Sequence, residues 1–468
     1  MPGTIKKILA DHRIAIRKVI GTYMRRGRLD RRRLERQLYY GLAVLAALFV
    51  VVGLTAALKG AGKKQEGRQE EERRIRKEQA EEASPKEPAQ NPLIRVLLMT
   101  DGYQHTVHPA VSLISGSGLT VTAGEESEEW PAESELAIAP DDARFQKGNI
   151  RIQAKEGKVT VNSLYRGYGT PSYEGVIELR ATAEGIAMIN ELPVEDYLCG
   201  VIPSEMPSSY EPEALKAQAV CARSFAYRQM EEYGYPEYEA HVNDSTDYQV
   251  YGNSEAADST KAAVAETAGE VVRYRGQIVT TYYYSTSCGT TTSLEAWGTA
   301  PSEENAYLQS VEVEGEEGDY ERDLPWYRWE ASIPIATLSD LVGLNTGIDV
   351  GTLSSINILE TGPGGVAVRI EAVGDRGSVV VETENKIRRA LGGSGYTIQK
   401  QDGSSADSSR LLPSAFFTIE NTGDAFLIKG GGFGHGIGMS QNGANEMAKE
   451  GKDYKEILTL FYQGVTVE

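Results

Sequence analysis

The sequence predicts an α+β chain: a β-rich body with a few helices, preceded by one membrane-spanning helix. Three observations predict this. After residue 93, short runs such as "LIRVLLM", "NIRIQAKEGKVTVNS" and "GVIELRATAEGIAMIN" read as strands broken by turns at Gly157 and Gly185. Helix-period segments stand after Pro212 and close the chain. Ahead of all of them, residues 38–58, "LYYGLAVLAALFVVVGLTAAL", run for 21 residues without a charge.

The order along the chain follows from composition. Residues 1–37 hold twelve Lys/Arg against three acids, a local charge of +9, so the other 431 residues carry −28 of the total −19. An acidic body argues against a nucleic-acid grip by that body. The basic head could be such an arm, but the apolar run behind it reads differently. About 20 apolar residues span a bilayer as a helix. A buried core helix is the plainer alternative, yet all-round apolarity between Arg-rich and Lys-rich flanks favours a span, and 37 residues is long for a signal peptide's basic region. The expectation is a retained anchor at 38–58, with 1–37 in the cytoplasm and the body outside the cell membrane. Residues 59–93 are charged, almost without large apolar side chains, and end near Pro85, Pro88 and Pro92; they read as a solvated stalk. Residues 94–180 are the β-rich opening, and 181–468 the remainder.

Within that remainder, Pro212 suits a first helical position and Gly234 a stop. Leu215, Ala219, Ala222 and Ala226 share one face of the helix between them, a core stripe; Lys216, Val220, Arg223 and Tyr227 fall on its neighbour. Strands return in "GEVVRYRGQIVTTYYYSTS" and "VAVRIEAV", and a helix in "TENKIRRALG". Residues 402–410 read as a polar loop. "SQNGANEMAKEG" and "YKEILTLFYQG" read as the last helices.

Cys199, Cys221 and Cys288 form no C-x-x-C pair and no even set, so they read as small buried residues, with Cys288 in the most loop-like context. Metal ligation is weakly supported: His105 and His108 are three apart and His241 precedes Asp244 and Asp247, but no H-E-x-x-H occurs, and surface histidines are the plainer reading.

Two motifs carry chemistry. "KGGGFGHGIGMSQNGA" surrounds His435 with glycines, matches neither phosphate-binding glycine motif, and misses the serine elbow by one residue. It leaves a tight backbone that can present His435, Ser440 and Gln441; a structural turn around a hydrogen-bonded histidine is the alternative. "VIPSEMPSSY" pins Glu205 between Pro203 and Pro207, ahead of the Pro212 helix. Most glycoside hydrolases use two carboxylates. One suffices if a hydroxyl of the substrate closes on the anomeric carbon, with Glu205 giving and then taking a proton. A cap or helix-dipole role is the alternative for a glutamate at such a place.

Three stretches together, "NELPVEDYLCGVIPSEMPSSYEPEALKAQAVCARSFA", "YYYSTSCGTTTSLEAWG" with "AYLQSV", and "GGGFGHGIGMSQNGANEMA", resemble the stage II sporulation protein D (SpoIID/LytB) family over roughly residues 180–467. The resemblance implies a peptidoglycan lytic transglycosylase that cuts the MurNAc–GlcNAc bond, leaves 1,6-anhydro ends and prefers glycan stripped of stem peptides. It implies Glu205 as the catalytic acid and base. It further implies that Lys216, Gln218, Arg223, Gln249, Tyr251, Tyr284, Ser285, Ser287, His435, Ser440 and Gln441 line a substrate groove. A cell-wall amidase and a membrane scaffold are the implied partners, in septal wall thinning and engulfment. Some relatives are amidase enhancers, which leaves a glycan-binding activator as the alternative. Members that bind zinc do so through a histidine and cysteines near Q-x-Y; here Tyr248 stands where a cysteine would, so no zinc and no cofactor are expected. Cys288 replaces a glycine of the family's loop.

Overall fold

In a computed structural model of the chain, residues 91–316 and 318–468 are described. The basic segment, the expected span at 38–58 and all but the end of the stalk therefore lie outside the described residues. Among the described residues no helix is long and apolar enough to cross a membrane.

The β-rich opening forms because its strands alternate. Leu119–Ala123 and Ile150–Ala154 bury every second residue, and Val176–Ala181 and Ile186–Pro193 pair as a hairpin closed at Gly185. These strands join Leu93–Leu97 and Glu126–Trp130 in one largely antiparallel sheet. Val242–Asn243 adds to its edge in parallel with Leu93–Leu97, at Val96 and Leu97. The sheet thus joins strands from both sides of residue 180. It also brings the 242–251 loop to the same edge.

Seven α-helices are described: α1 (Val194–Glu205), α2 (Pro212–Gln229), α3 (Asp258–Glu266), α4 (Ile335–Thr346), α5 (Glu384–Leu391), α6 (Gln441–Lys449) and α7 (Tyr454–Phe461). Helix α2 begins at Pro212 as expected, but it stops at Gln229, short of Gly234. Gly234 serves close approach instead: a Cβ there would lie 2.2 Å from the Tyr248 hydroxyl. The core stripe is correct, and Val220, Arg223 and Tyr227 of the neighbouring face are buried too, because α2 packs against α1, α3, α6 and α7. Each fully buried Leu or Val there contributes about 1.5–3 kcal/mol.

A second sheet, in the order Ser405–Asp407, Thr397–Lys400, Trp329–Pro334, Ala425–Gly430, Phe417–Asn421, and a three-stranded sheet of Leu353–Thr361, Ala367–Gly374 and Gly377–Glu382 occupy the region before the glycine-rich motif. Residues 402–410 are therefore not loop throughout: Ser405–Asp407 pairs with Thr397–Lys400. Its side chains carry no apolar signal, and the pairing alone makes it a strand. Finally, Tyr283–Tyr284 runs parallel to Met439–Ser440, which seats the glycine-rich motif beside "YYYSTS".

Candidate functional site

Glu205 lies ahead of α2, as the last residue of α1. The helix runs through Pro203, which lies in its final turn, and ends at Met206 in an extended conformation. The residue as a whole is half-buried, but its carboxyl group is closely surrounded by protein atoms. Burial pushes this carboxyl up from the ordinary range to about 7. Its place at the negative end of a helix acts in the same direction. Three donors oppose the rise: the Val250 amide at 2.7 Å, the Tyr283 hydroxyl and the Gln441 side chain. The outcome is a carboxyl that can exist in both protonation states near neutral pH.

Those donors are held in turn. Gln249 Nε2 donates to the Tyr283 hydroxyl at 3.2 Å and to the Ala222 carbonyl at 3.3 Å, and Gln249 Oε1 accepts from Tyr197 at 3.2 Å. With its own oxygen accepting from Gln249, the Tyr283 hydroxyl directs its proton at Glu205. Gln441 Nε2 donates to the Gln218 side-chain oxygen Oε1 at 3.5 Å, and Gln218 Nε2 is buried without a protein partner. Gln218, Gln249 and Gln441 are thus brought to Glu205.

The other expected groove residues stand elsewhere. Lys216 pairs with Glu213 at 3.0 Å and Glu266 at 2.7 Å, and Arg223 is enclosed against Glu195 at 2.7 Å and the Val264 and Glu270 carbonyls. Tyr251 is buried, donates to Asn190 at 2.7 Å and packs on Tyr173 and Tyr197. Tyr284 points away from the acid; its hydroxyl is buried without a partner and its ring meets His435. Ser285 is half-buried, with its carbonyl accepting from the Asn442 amide at 2.9 Å. Ser287 and Ser440 are both buried on a second carboxyl, Glu321: Ser440 Oγ donates at 2.8 Å, the Ser287 amide at 3.0 Å, and the Ser287 hydroxyl also donates.

His435 holds the Tyr283 backbone. Its Nδ1 accepts from the Ile437 amide at 3.0 Å, so its Nε2 carries the proton and donates to the Tyr283 carbonyl at 2.9 Å. Burial, with a smaller push from Arg388, lowers its pKa to about 3, so the ring is neutral. Trp297 and Tyr284 pack on it.

Tyr283, Tyr197 and Glu321 escape a reading of the sequence. Strand alternation offered one signal: Tyr283 and Ser285 share a face in "YYYSTS", and Tyr284 lies on the other. Glu321, in "GDYERD", has no local signal; only folding places it against Ser287 and Ser440.

The histidines are not surface groups as a set. His108 is buried with Nε2 2.8 Å from the Leu98 carbonyl, and His241 accepts from the Arg95 amide at 3.0 Å while stacking on Tyr233. Among the described residues no group of three His, Cys, Asp or Glu side chains could hold a metal ion. With its Nδ1 taken and no thiol beside it, His241 does not fit a zinc site. The three cysteines are free; Cys221 is buried, and burial pushes the Cys288 thiol up to about 11, away from nucleophile chemistry.

Sequence comparison identifies relatives of the chain. The family model described as SpoIID, stage II sporulation protein, matches residues 182–274, and one described as a domain of unknown function (DUF8618) matches residues 285–438. The stage II sporulation protein D of Bacillus subtilis is 30% identical over 335 residues, 67% of this chain and 88% of that protein. An uncharacterized protein of Brachyspira hyodysenteriae is 30% identical over 72% of this chain and 80% of its own length. The amidase enhancer of Bacillus subtilis is 30% identical over 58% of this chain, but the match spans 40% of that longer protein. The chain belongs to the stage II sporulation protein D (SpoIID) family.

Proposed function

We propose that the chain is a peptidoglycan lytic transglycosylase with Glu205 as its single acid and base. The observation that carries this reading is a lone carboxyl, raised to about 7, set among the Val250 amide, Tyr283 and Gln441. In its protonated form Glu205 gives its proton to O4, the oxygen joining MurNAc C1 to GlcNAc C4, and the C1–O4 bond breaks with its electrons going to that oxygen. The MurNAc C6 hydroxyl then attacks C1, and its proton passes to the Glu205 carboxylate. The products are a 1,6-anhydro end and a free GlcNAc 4-hydroxyl, with no water consumed and Glu205 returned to its acid form. Tyr283 and Gln441 support the carboxylate between the two transfers. The step uses no cofactor.

The preferred substrate is glycan already freed of stem peptides, which places a cell-wall amidase upstream. The family's name, carried by the Bacillus subtilis relative, supports a role in sporulation; septal wall thinning and engulfment, beside a membrane scaffold, is the setting we propose. Residues 38–58 would tether the chain to the cell membrane, with the catalytic body outside. A second reading is supported by the amidase enhancer relative: the chain binds glycan and stimulates an amidase without cutting.

Incubation with stem-free glycan strands and mass spectrometry of the products separates the two. Anhydro ends from the wild type that disappear in Glu205→Gln are the expected result. Absence of cleavage by the wild type, with amidase stimulation intact in both proteins, would establish the second reading instead.

A further inference from the structure

Phe433 sits in the middle of the glycine-rich motif and is 38% exposed. A single exposed phenylalanine is ordinary; the way this one is held is not. Gly432 and Gly434 on either side have φ of +78° and +123°. A Cβ at Gly432 would lie 2.8 Å from the Thr286 carbonyl oxygen, and one at Gly434 would lie 2.6 Å from the Tyr284 side chain. Glycine at both places lets the backbone press onto the 284–286 segment, where Phe433 and Thr286 exchange hydrogen bonds at 2.8 and 3.0 Å. The Phe433 ring then lies against half-buried Trp326, centroids 4.7 Å apart and planes tilted by 47°. The Lys400 ammonium stands 5.2 Å from the centre of the Trp326 ring.

This aromatic pair is connected to Glu205. Gln441 touches the Glu205 carboxyl; its neighbour Asn442 donates to the Thr286 hydroxyl at 3.0 Å; and Thr286 is the residue paired with Phe433. Tyr283 and Thr286 are three residues apart, a backbone reach of about 10 Å.

We propose that Phe433 and Trp326, with Lys400, form a ledge that holds a glycan strand at sugars beyond the bond being cut. The proposal rests on the glycan-cleaving reading above and adds the residues that would grip the strand away from the acid. The apolar faces of pyranose rings stack on aromatic side chains, and a tilted pair offers such a face at a fixed angle. Lys400 adds a charge criterion. A muramic acid freed of its stem peptide carries an ionised lactyl carboxylate, whereas the same sugar with its peptide carries an amide there. An ammonium beside the stacking surface favours the stem-free form. Asp402 is the charged neighbour on the same hairpin, an exposed carboxyl held low first by Ser404 and in small part by Lys400.

The test uses the full-length chain carrying Glu205→Gln, so that strands bind without turnover. The probes are long stem-free glycan strands, an oligomer of N-acetylglucosamine alone, and a short disaccharide. Phe433→Ala should weaken binding of both long probes about threefold to tenfold, while Phe433→Trp preserves it and the disaccharide is unaffected. Lys400→Gln should weaken only the stem-free strand, about threefold, and leave the N-acetylglucosamine oligomer unchanged. Equal binding of long strands by Phe433→Ala and its parent, with wild-type cleavage intact, would overturn the ledge alone. Failure of the Glu205→Gln chain to bind any glycan, together with no cleavage by the wild type, would overturn the ledge and the reading beneath it.

Discussion

His435 donates from Nε2 to the backbone carbonyl of Tyr283 at 2.9 Å, and the hydroxyl of that same tyrosine reaches Glu205. The histidine that dominates the glycine-rich motif thus acts on the acid through a backbone, one residue removed. Neutral in the folded protein down to about pH 3, it contributes no ionisation to a pH–rate profile in the neutral range. His435→Ala should lower cleavage about a hundredfold by letting Tyr283 shift. His435→Gln, which retains a donor of similar reach, should recover part of that loss. An activity limb that titrates with His435 would contradict this role; kcat/KM measured across pH for the three proteins checks it.

Tyr283→Phe removes one of the three donors that oppose the rise in the Glu205 pKa. In the proposed reaction Glu205 must be protonated at the outset, so kcat/KM should fall as pH rises through about 7. In Tyr283→Phe that falling limb should move to higher pH, and the maximal rate should drop about tenfold to a hundredfold, the worth of a hydrogen bond to a charged group. Combining Tyr283→Phe with His435→Ala should add little, because both act on one contact. Tyr284→Phe, which removes a hydroxyl without a partner, should leave the limb in place.

Glu321 is fully enclosed, and burial raises its carboxyl to about 7 against the opposing bonds of Ser287 and Ser440. The sign follows from proton linkage. Between about 4.5 and 7 the folded protein holds a proton that the unfolded chain has released, so stability is lost as pH rises through that window. Glu205 contributes with the same sign, so the measurement belongs in a Glu205→Gln background. Urea unfolding there should show a fall in stability from pH 4.5 to 7 that is shallower in Glu321→Gln. Glu321→Ala, which strands the Ser287 amide and hydroxyl, should cost about 1–3 kcal/mol or more. An unchanged pH slope in Glu321→Gln would refute the assignment.

Arg166 and Asp244 meet at 2.5 Å with their side chains almost wholly enclosed. Asp244 also accepts from the Met99 amide at 2.9 Å, and Arg166 donates to the Met99 carbonyl at 2.6 Å. The pair fastens the β-rich opening to the loop that supplies the Val250 amide. Burial outweighs pairing at Asp244, whose carboxyl rises to about 6. Arg166→Ala, which leaves that carboxyl enclosed and unpaired, should cost about 3–5 kcal/mol in urea unfolding. Arg166→Met combined with Asp244→Leu should recover most of the loss. A single substitution as costly as a surface one would show that the two regions are not coupled here.

Much of the architecture is legible in local patterns. The strands around Gly157 and Gly185, the start of α2 at Pro212 and the two closing helices follow from alternation, helical period and proline, because each depends on neighbours within a turn or a hairpin. Glu205 stands out because "PSEMP" is an unusual setting for an acid, and the family resemblance rests on contiguous motifs. The end of α1 was less legible: two prolines around Glu205 suggest a turn, yet Pro203 is tolerated in the helix's last turn and the chain breaks only after Glu205.

What the sequence by itself determined is therefore much of the secondary structure, the family and the candidate acid. Only the tertiary structure decided which side chains meet that acid. Tyr283 rather than Tyr284 faces Glu205 because the parallel pairing with Met439–Ser440 sets which face of a short strand turns inward. Ser287 and Ser440 serve Glu321, from 34 and 119 residues away, because three distant segments close around one buried carboxyl. Such choices depend on burial and hydrogen-bond satisfaction across the whole fold, which no local pattern encodes.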